Sequence, residues 1–155
     1  MNSTSRPTES LARFFDAIHR EAQARFGPCL LTVSQLDALR DPFRLSRIYS
    51  SDPQAYPVGG FKDKPDSDWT HQVLRLGQTH VGEGAQALVR VFDDHERIVA
   101  LGLLSVINQP IVDRDRVLGT FNLLSQQAHW PPDATAQVMI WAKGARAWLQ
   151  ALTDL

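Results

Sequence analysis

The sequence predicts an α+β domain: a central antiparallel β-sheet, terminal helices packed on one face, and a pocket on the other face under loops and short helices. Three observations predict it. The first and last segments place apolar residues at spacings of three and four, the period of an amphipathic helix. Two pairs of β-branched or aliphatic runs are each joined by a short polar turn, as antiparallel neighbours are. Between the pairs lies a long aperiodic stretch followed by short helical segments, enough chain to cover the second sheet face.

The N-terminal helix is expected from a Thr8 cap to about Phe26, with Leu11, Phe14, Phe15, Ile18 and Ala22 on one stripe. Gly27 and Pro28 stop it, glycine by accepting a left-handed cap and proline by refusing to continue. "CLLTVSQL" (29–36) reads as a strand, "DALRDP" as a turn, and "FRLSRIYSS" (43–51) as a second strand. Two-residue alternation puts Phe43, Leu45, Arg47 and Tyr49 on one face of that strand. Residues 52–68 hold three prolines and two adjacent glycines without periodicity, the mark of a long loop. Ser67 or Asp66 caps a short helix that ends at Gly77, and "QTHVG" is a short strand. "GAQALVRVF" and "DDHERIVALG" follow as two short helices, with Asp94 the cap and Gly102 the end of the second.

"SVINQPIVDRDRVLGTFNLL" (105–124) reads as a hairpin turning at Arg114 and Asp115. Counting back from that turn, Ile107 faces Asn122 and Ser105 faces Leu124, while Asn108 lies on the opposite surface with Phe121. Pro110 cannot donate to a ladder and marks an edge, a bulge or a strand end. "WPPD" opens the last helix, whose stripe is Val138, Trp141, Ala145, Trp148 and Leu152. Residues 8–155 are thus expected to form one domain, with 1–7 a flexible N-terminus.

Composition narrows the function classes. The 155 residues are 43% hydrophobic and 21% charged, ordinary for a globular chain. A net charge of −1 and scattered arginines argue against a nucleic-acid partner. No leader-like or membrane-spanning run is read in the sequence, so no membrane association and a cytoplasmic location are expected. One cysteine, Cys29, excludes an intrachain disulfide and a multi-cysteine metal knuckle. There is no nucleophile elbow and no "GxxxxGK" phosphate loop, so neither a cofactor nor a catalytic residue is assigned.

Taken together, "RIYSSDPQAYPVGG", "HERIVALGLLSVINQPI" and "RVLGTFNLL" resemble the GAF domain family. The closest match is a proline shortly after an "SVxN"-like strand, then "VLGTxNL" after a charged turn. The resemblance spans residues 10–153. It implies the PAS/profilin-like sheet with helices behind it and a ligand pocket in front, closed by the mid-chain loop. It also implies a stand-alone sensory or signalling module that binds an unidentified small molecule. It would form a homodimer through its terminal helices and act on a separate output protein. The departures matter as much. Bilin attachment needs a pocket cysteine, and Cys29 begins the first strand instead. The cyclic-nucleotide type carries an Asn-Lys pair where this chain has Asn122 and Leu123. The free methionine sulfoxide reductases of the family need more than one thiol. A redox or hydrolytic enzyme on the same scaffold, or a dimerisation scaffold with a vestigial pocket, are the alternatives.

The expected ligand contacts are Arg47, Tyr49, Tyr56, Trp69, His95, Ser105 and Asn122. Arg47 offers a planar fork for a carboxylate or phosphate. Tyr49, on the same predicted face, and Tyr56 and Trp69, in or beside the loop, offer flat surfaces with a polar handle. His95 lies in "DDHE" (93–96), the densest titratable cluster. Neighbouring helix residues point in different directions, so that cluster is not a metal site, and His95 is assigned to the cavity. Ser105 and Asn122 are polar groups in otherwise apolar strands, where a buried side chain needs a partner. Asn108 is assigned a structural role beside the proline bend.

Overall fold

Six strands form one antiparallel sheet in the order β3-β2-β1-β6-β5-β4. A computed structural model describes residues 5–154. The elements are α1 (Ser5–Phe26), β1 (Cys29–Asp37), β2 (Phe43–Ser50), β3 (Phe61–Lys64), a π-helical turn (Thr70–Arg75) and β4 (His80–Glu83). They continue with α2 (Ala85–Val91), α3 (His95–Ala100), β5 (Ser105–Asp113), β6 (Arg116–Ser125) and α4 (Ala134–Thr153). Helix α1 starts at Ser5, ahead of the expected Thr8 cap, and residues 1–4 lie outside the described residues. Among the described residues, no helix is long and apolar enough to cross a membrane.

Alternation along the central strands divides the interior into two unlike halves. Leu31 and Val33 of β1, Ile107 of β5, and Phe121 and Leu123 of β6 face α1 and α4. There they meet Phe15 and Ala22 of α1 and Val138, Ala145 and Leu149 of α4, all fully buried. Each large side chain sealed in this layer contributes about 1.5–3 kcal/mol over an exposed one. The other sheet face is covered by α2 and α3, where Leu30, Val106 and Leu124 meet Leu88, Ile98 and Leu103. Beside them Trp69, just before the π-helical segment, and Val73 and Leu74 within it pack on Leu45.

Two bulges set the registers. In the β1–β2 pair Val33 opposes Tyr49 and Ser34 opposes Arg47, so Ile48 is the extra residue. In the hairpin Val112 opposes Val117 while Ile111 opposes Gly119, leaving Leu118 extra. The turn is Arg114–Asp115 as the sequence predicts, with Arg114 at φ +57°. Beyond the bulge the predicted register is one residue out. Asn108 pairs directly with Asn122, Ile107 with Leu123 and Ser105 with Ser125. Gly119 sits where β6 crowds β1 and α4; a β-carbon there would collide with the Ser34 carbonyl oxygen and lie 2.8 Å from Leu149 Cδ2. Pro110 lies past the last β4–β5 pair, His80 with Asn108, and next to the bulge, consistent with its missing donor.

The stretch read as one loop contains β3, which adds an edge strand to β2: Phe43 opposes Lys64 and Leu45 opposes Lys62. Its prolines and glycines flank the strand instead of filling it.

Candidate functional site

A cavity of about 90 Å³ opens between the sheet and the covering segments. Its floor is made by the side of β1, β5 and β6 that faces away from α1 and α4. Thr32, Ser34, Asn108, Thr120 and Asn122 all line it. These polar groups alternate with the helix-facing apolar ones, so the cavity side of the three strands joins a polar patch to the apolar Leu30, Val106 and Leu124. Register aligns them in a row: Thr32 opposes Asn122, and Asn122 opposes Asn108.

The row is a connected network. Trp69 Nε1 donates to Asn108 Oδ1 at 3.0 Å, and Asn108 Nδ2 donates to Asn122 Oδ1 at 2.8 Å. Asn122 Nδ2 in turn donates to Thr120 Oγ1 at 3.1 Å and Thr32 Oγ1 at 3.3 Å. Asn108 is 2% exposed, so these partners replace the water it has lost. The Ser67 hydroxyl accepts from Thr70 N at 3.0 Å, the expected cap, and so holds the turn that presents Trp69.

The rim is charged. Arg47 projects from β2 opposite Gly60, whose missing side chain leaves it room: a β-carbon there would sit 3.0 Å from Arg47 Nη1. Nη1 donates to the Pro57 carbonyl at 3.0 Å, and the guanidinium lies 5.0 Å from the Tyr56 ring centre. Arg47 Nε is buried with no hydrogen-bond partner among the described residues. Burial holds the Arg47 pKa below its ordinary value, against the opposing pull of Tyr56 and Asp94. Lys62 and Lys64 of β3 line the same cavity. Lys62 Nζ is 3.0 Å from Asp94 Oδ1, an ion pair outside hydrogen-bonding angles, and donates to Asp93 Oδ1 at 3.3 Å. Lys64 Nζ lies 4.8 Å from the Trp69 ring centre, and burial followed by repulsion from Lys62 lowers its pKa.

Asp94 precedes α3 as expected, but its carboxylate makes no cap hydrogen bond. It accepts instead from the Tyr56 hydroxyl at 3.0 Å. That contact joins the loop before β3 to the start of α3 across the cavity mouth. Burial and the Asp94 charge both raise the Tyr56 pKa far above the ordinary phenol range, so the hydroxyl is a donor at any physiological pH.

Of the seven expected contacts, the structure gathers Arg47, Tyr56, Trp69 and Asn122 around this cavity. Tyr49 is not among them. The bulge at Ile48 turns it to the helix face, where its hydroxyl donates to Asp16 of α1 at 2.7 Å and its ring lies 5.2 Å from Phe15. Ser105 also faces away, since the hairpin bulge separates it from Asn122; its hydroxyl donates to the Gln127 carbonyl at 2.6 Å. His95 turns back on its own chain, with Nδ1 3.0 Å from the Phe92 carbonyl, and its neighbour Asp94 takes the cavity position. Asn108, assigned to the proline bend, belongs to the cavity floor. Thr32, Ser34 and Thr120 carry a signal as polar residues at every second place in "LLTVS" and "TFN"; the same period in "FKDK", which holds Lys62 and Lys64, is too short to stand out among the turn residues around it. Cys29 lies on the helix side of β1, half-buried, and desolvation pushes its thiol up to about 11.

No protein-family model matches the sequence, and no curated protein matches it. Solved structures do. The GAF domain of a two-component sensor histidine kinase from Bacillus halodurans superposes with a TM-score of 0.68 at 14% identity, over 91% of this chain and 94% of that one. The GAF domain region of a Geobacter sulfurreducens protein gives 0.66 at 12% identity, over 99% and 100%. The PixJ GAF domain of Thermosynechococcus elongatus, in its blue-light absorbing form, gives 0.60 at 16% identity, over 96% and 85%. At such identities the likeness is one of fold.

Proposed function

We propose that this chain, whose fold is that of the GAF domains, is a sensory module that binds a small molecule in the cavity between β1, β5, β6 and the segments over them. The observation that carries this reading is the cavity's construction. A polar floor is built into three otherwise apolar strands, and a hydrogen bond from a loop tyrosine to the carboxylate just before α3 closes the mouth. Filling a vestigial cavity with apolar side chains would cost less than lining it with buried amides and hydroxyls that need partners. A ligand that binds the closed arrangement more tightly than the open one shifts the balance toward closure, which is the event a partner can read. The redox alternative draws no support from Cys29, which lies away from the cavity and whose raised pKa leaves little thiolate at neutral pH.

The signal would pass through the terminal helices. Met139 and Ile140 of α4 are 43% and 62% exposed, apolar positions suited to a second copy of the chain. Light scattering on the purified protein is expected to give a dimer mass.

The binding reading is tested by thermal unfolding against a library of small metabolites, with native mass spectrometry on protein taken directly from its host. At least one compound should raise the midpoint in proportion to the logarithm of its concentration. That compound should lose its effect in Thr120→Leu, which places a side chain of greater volume on the cavity floor. A library without a single stabilising compound, together with a host-purified protein carrying no small molecule, would overturn the reading.

A further inference from the structure

Resting on that reading, we propose that the ligand is a small organic anion. Its carboxylate or phosphate head group lies against Arg47 in the positive field of Lys62 and Lys64, and its apolar body lies against Phe92 and Ile98. The two cations reach the cavity by strand geometry. Arg47, Leu45 and Phe43 alternate along one face of β2, and Gly60, Lys62 and Lys64 lie opposite them. Three cations and one carboxylate, Asp94, line the cavity. Lys62 is already committed to Asp93 and Asp94. Arg47 and Lys64 have no ion-paired or hydrogen-bonded carboxylate among the described residues. Arg47 keeps a buried Nε with nothing to donate to, although a guanidinium presents its donors in a fixed fork suited to two oxygens. Desolvation lowers the pKa of both groups, the direction expected of cations buried without a full counter-charge. Apolar residues complete the lining: Leu30, Phe92, Ile98 and Leu124.

Asp94 is then an internal competitor. It supplies the one lining carboxylate near Arg47 and Lys62, and an incoming anion shares those cations with it. Removing its charge should strengthen anion binding, while removing a cation should weaken it. A neutral ligand would respond to neither change in this way.

The test is isothermal titration with a panel of small carboxylates and phosphate monoesters, each paired with its neutral amide or alcohol. Members of the anionic half should bind at least about tenfold more tightly than their neutral counterparts, the scale of one charge-assisted hydrogen bond. Carboxylates and phosphates compared at equal apolar body tell which head group the site prefers. Arg47→Met should weaken the best anion about tenfold or more, and Asp94→Asn should tighten it severalfold. Lys64→Met stands in for Arg47→Met if that variant does not fold. Neutral members binding as well as anionic ones, or Arg47→Met and Lys64→Met both leaving anion affinity unchanged, would overturn the anion inference and leave the binding reading standing. Silence from both halves of the panel would overturn the anion inference, and the binding reading falls with it only if the metabolite library is also silent and the host-purified protein carries no small molecule.

Discussion

Replacing Asn122 with leucine tests whether the polar floor is a network or a set of independent groups. Asn122 Oδ1 accepts from Asn108 Nδ2 at 2.8 Å, and Asn108 is 2% exposed. Leucine removes the acceptor and leaves a buried amide donor unsatisfied, a loss of about 1–3 kcal/mol. The bonds from Asn122 Nδ2 to Thr120 and Thr32 are longer, 3.1 and 3.3 Å, and their loss adds the low end of a net hydrogen bond, about 0.5 kcal/mol. The single variant should therefore lose about 1.5–3.5 kcal/mol, or about 3–14 °C for a domain of this size. In the double variant Asn108→Leu/Asn122→Leu the orphaned donor is gone, and only Trp69 Nε1 is left without its acceptor. The double should then be more stable than the sum of the singles predicts by about 1–2 kcal/mol. Urea unfolding followed by far-UV circular dichroism measures all four proteins of the cycle. Costs that add to within about 0.5 kcal/mol would mean that each amide is satisfied independently, and the network would not exist as drawn.

Tyr49→Phe should lower stability by about 1 kcal/mol through the lost bond to Asp16, yet leave ligand affinity unchanged; Tyr56→Phe, which breaks the contact to Asp94, should change it. Titrating each variant with one ligand checks both. Cys29 in the folded protein, its thiol pushed up to about 11, should alkylate roughly a hundredfold more slowly at mildly alkaline pH than in the urea-unfolded chain; equal rates would show the thiol to be solvated. Burial lowers the His80 pKa below the usual 6.5, so under acid conditions the unfolded chain takes up that proton first. Its contribution to stability should be complete above about pH 6.5 and decline as pH falls below it, and His80→Gln should flatten that part of the pH–stability curve.

The sequence was most legible where a signal is local. Alternation found β1, β2, β5 and β6, the charged turn at Arg114–Asp115 was placed correctly, and apolar spacing found α1 and α4. What failed was side-chain direction beyond each bulge. One extra residue, Ile48 in β2 or Leu118 in β6, sends every later side chain to the other face. Tyr49 therefore left the cavity, and Asn108 replaced Ile107 as the residue opposite Asn122, which put Ser105 on the other face. Neither bulge has a compositional mark of its own; Gly119 stands beside one of them, but its reason is the approach of the Ser34 backbone from β1 and of Leu149 from α4, and both are distant in sequence.

The charged rim was hidden for a different reason. Lys62 and Lys64 lie on a four-residue strand bounded by Gly60 and Pro65, and turn residues on both sides make such a segment read as loop. Its pairing with β2 is satisfied by long-range contacts that no local pattern announces. Asp94 shows the converse. A carboxylate before a short helix has a sufficient local explanation as a cap, and that explanation concealed its bonds to Tyr56 and Lys62 from elsewhere in the chain. A residue explained by its neighbours in sequence can still be held by partners across the fold. Here the absent cap bond separates the two cases: had Asp94 capped α3, its carboxylate would point back along the helix, and nothing would close the mouth over Arg47.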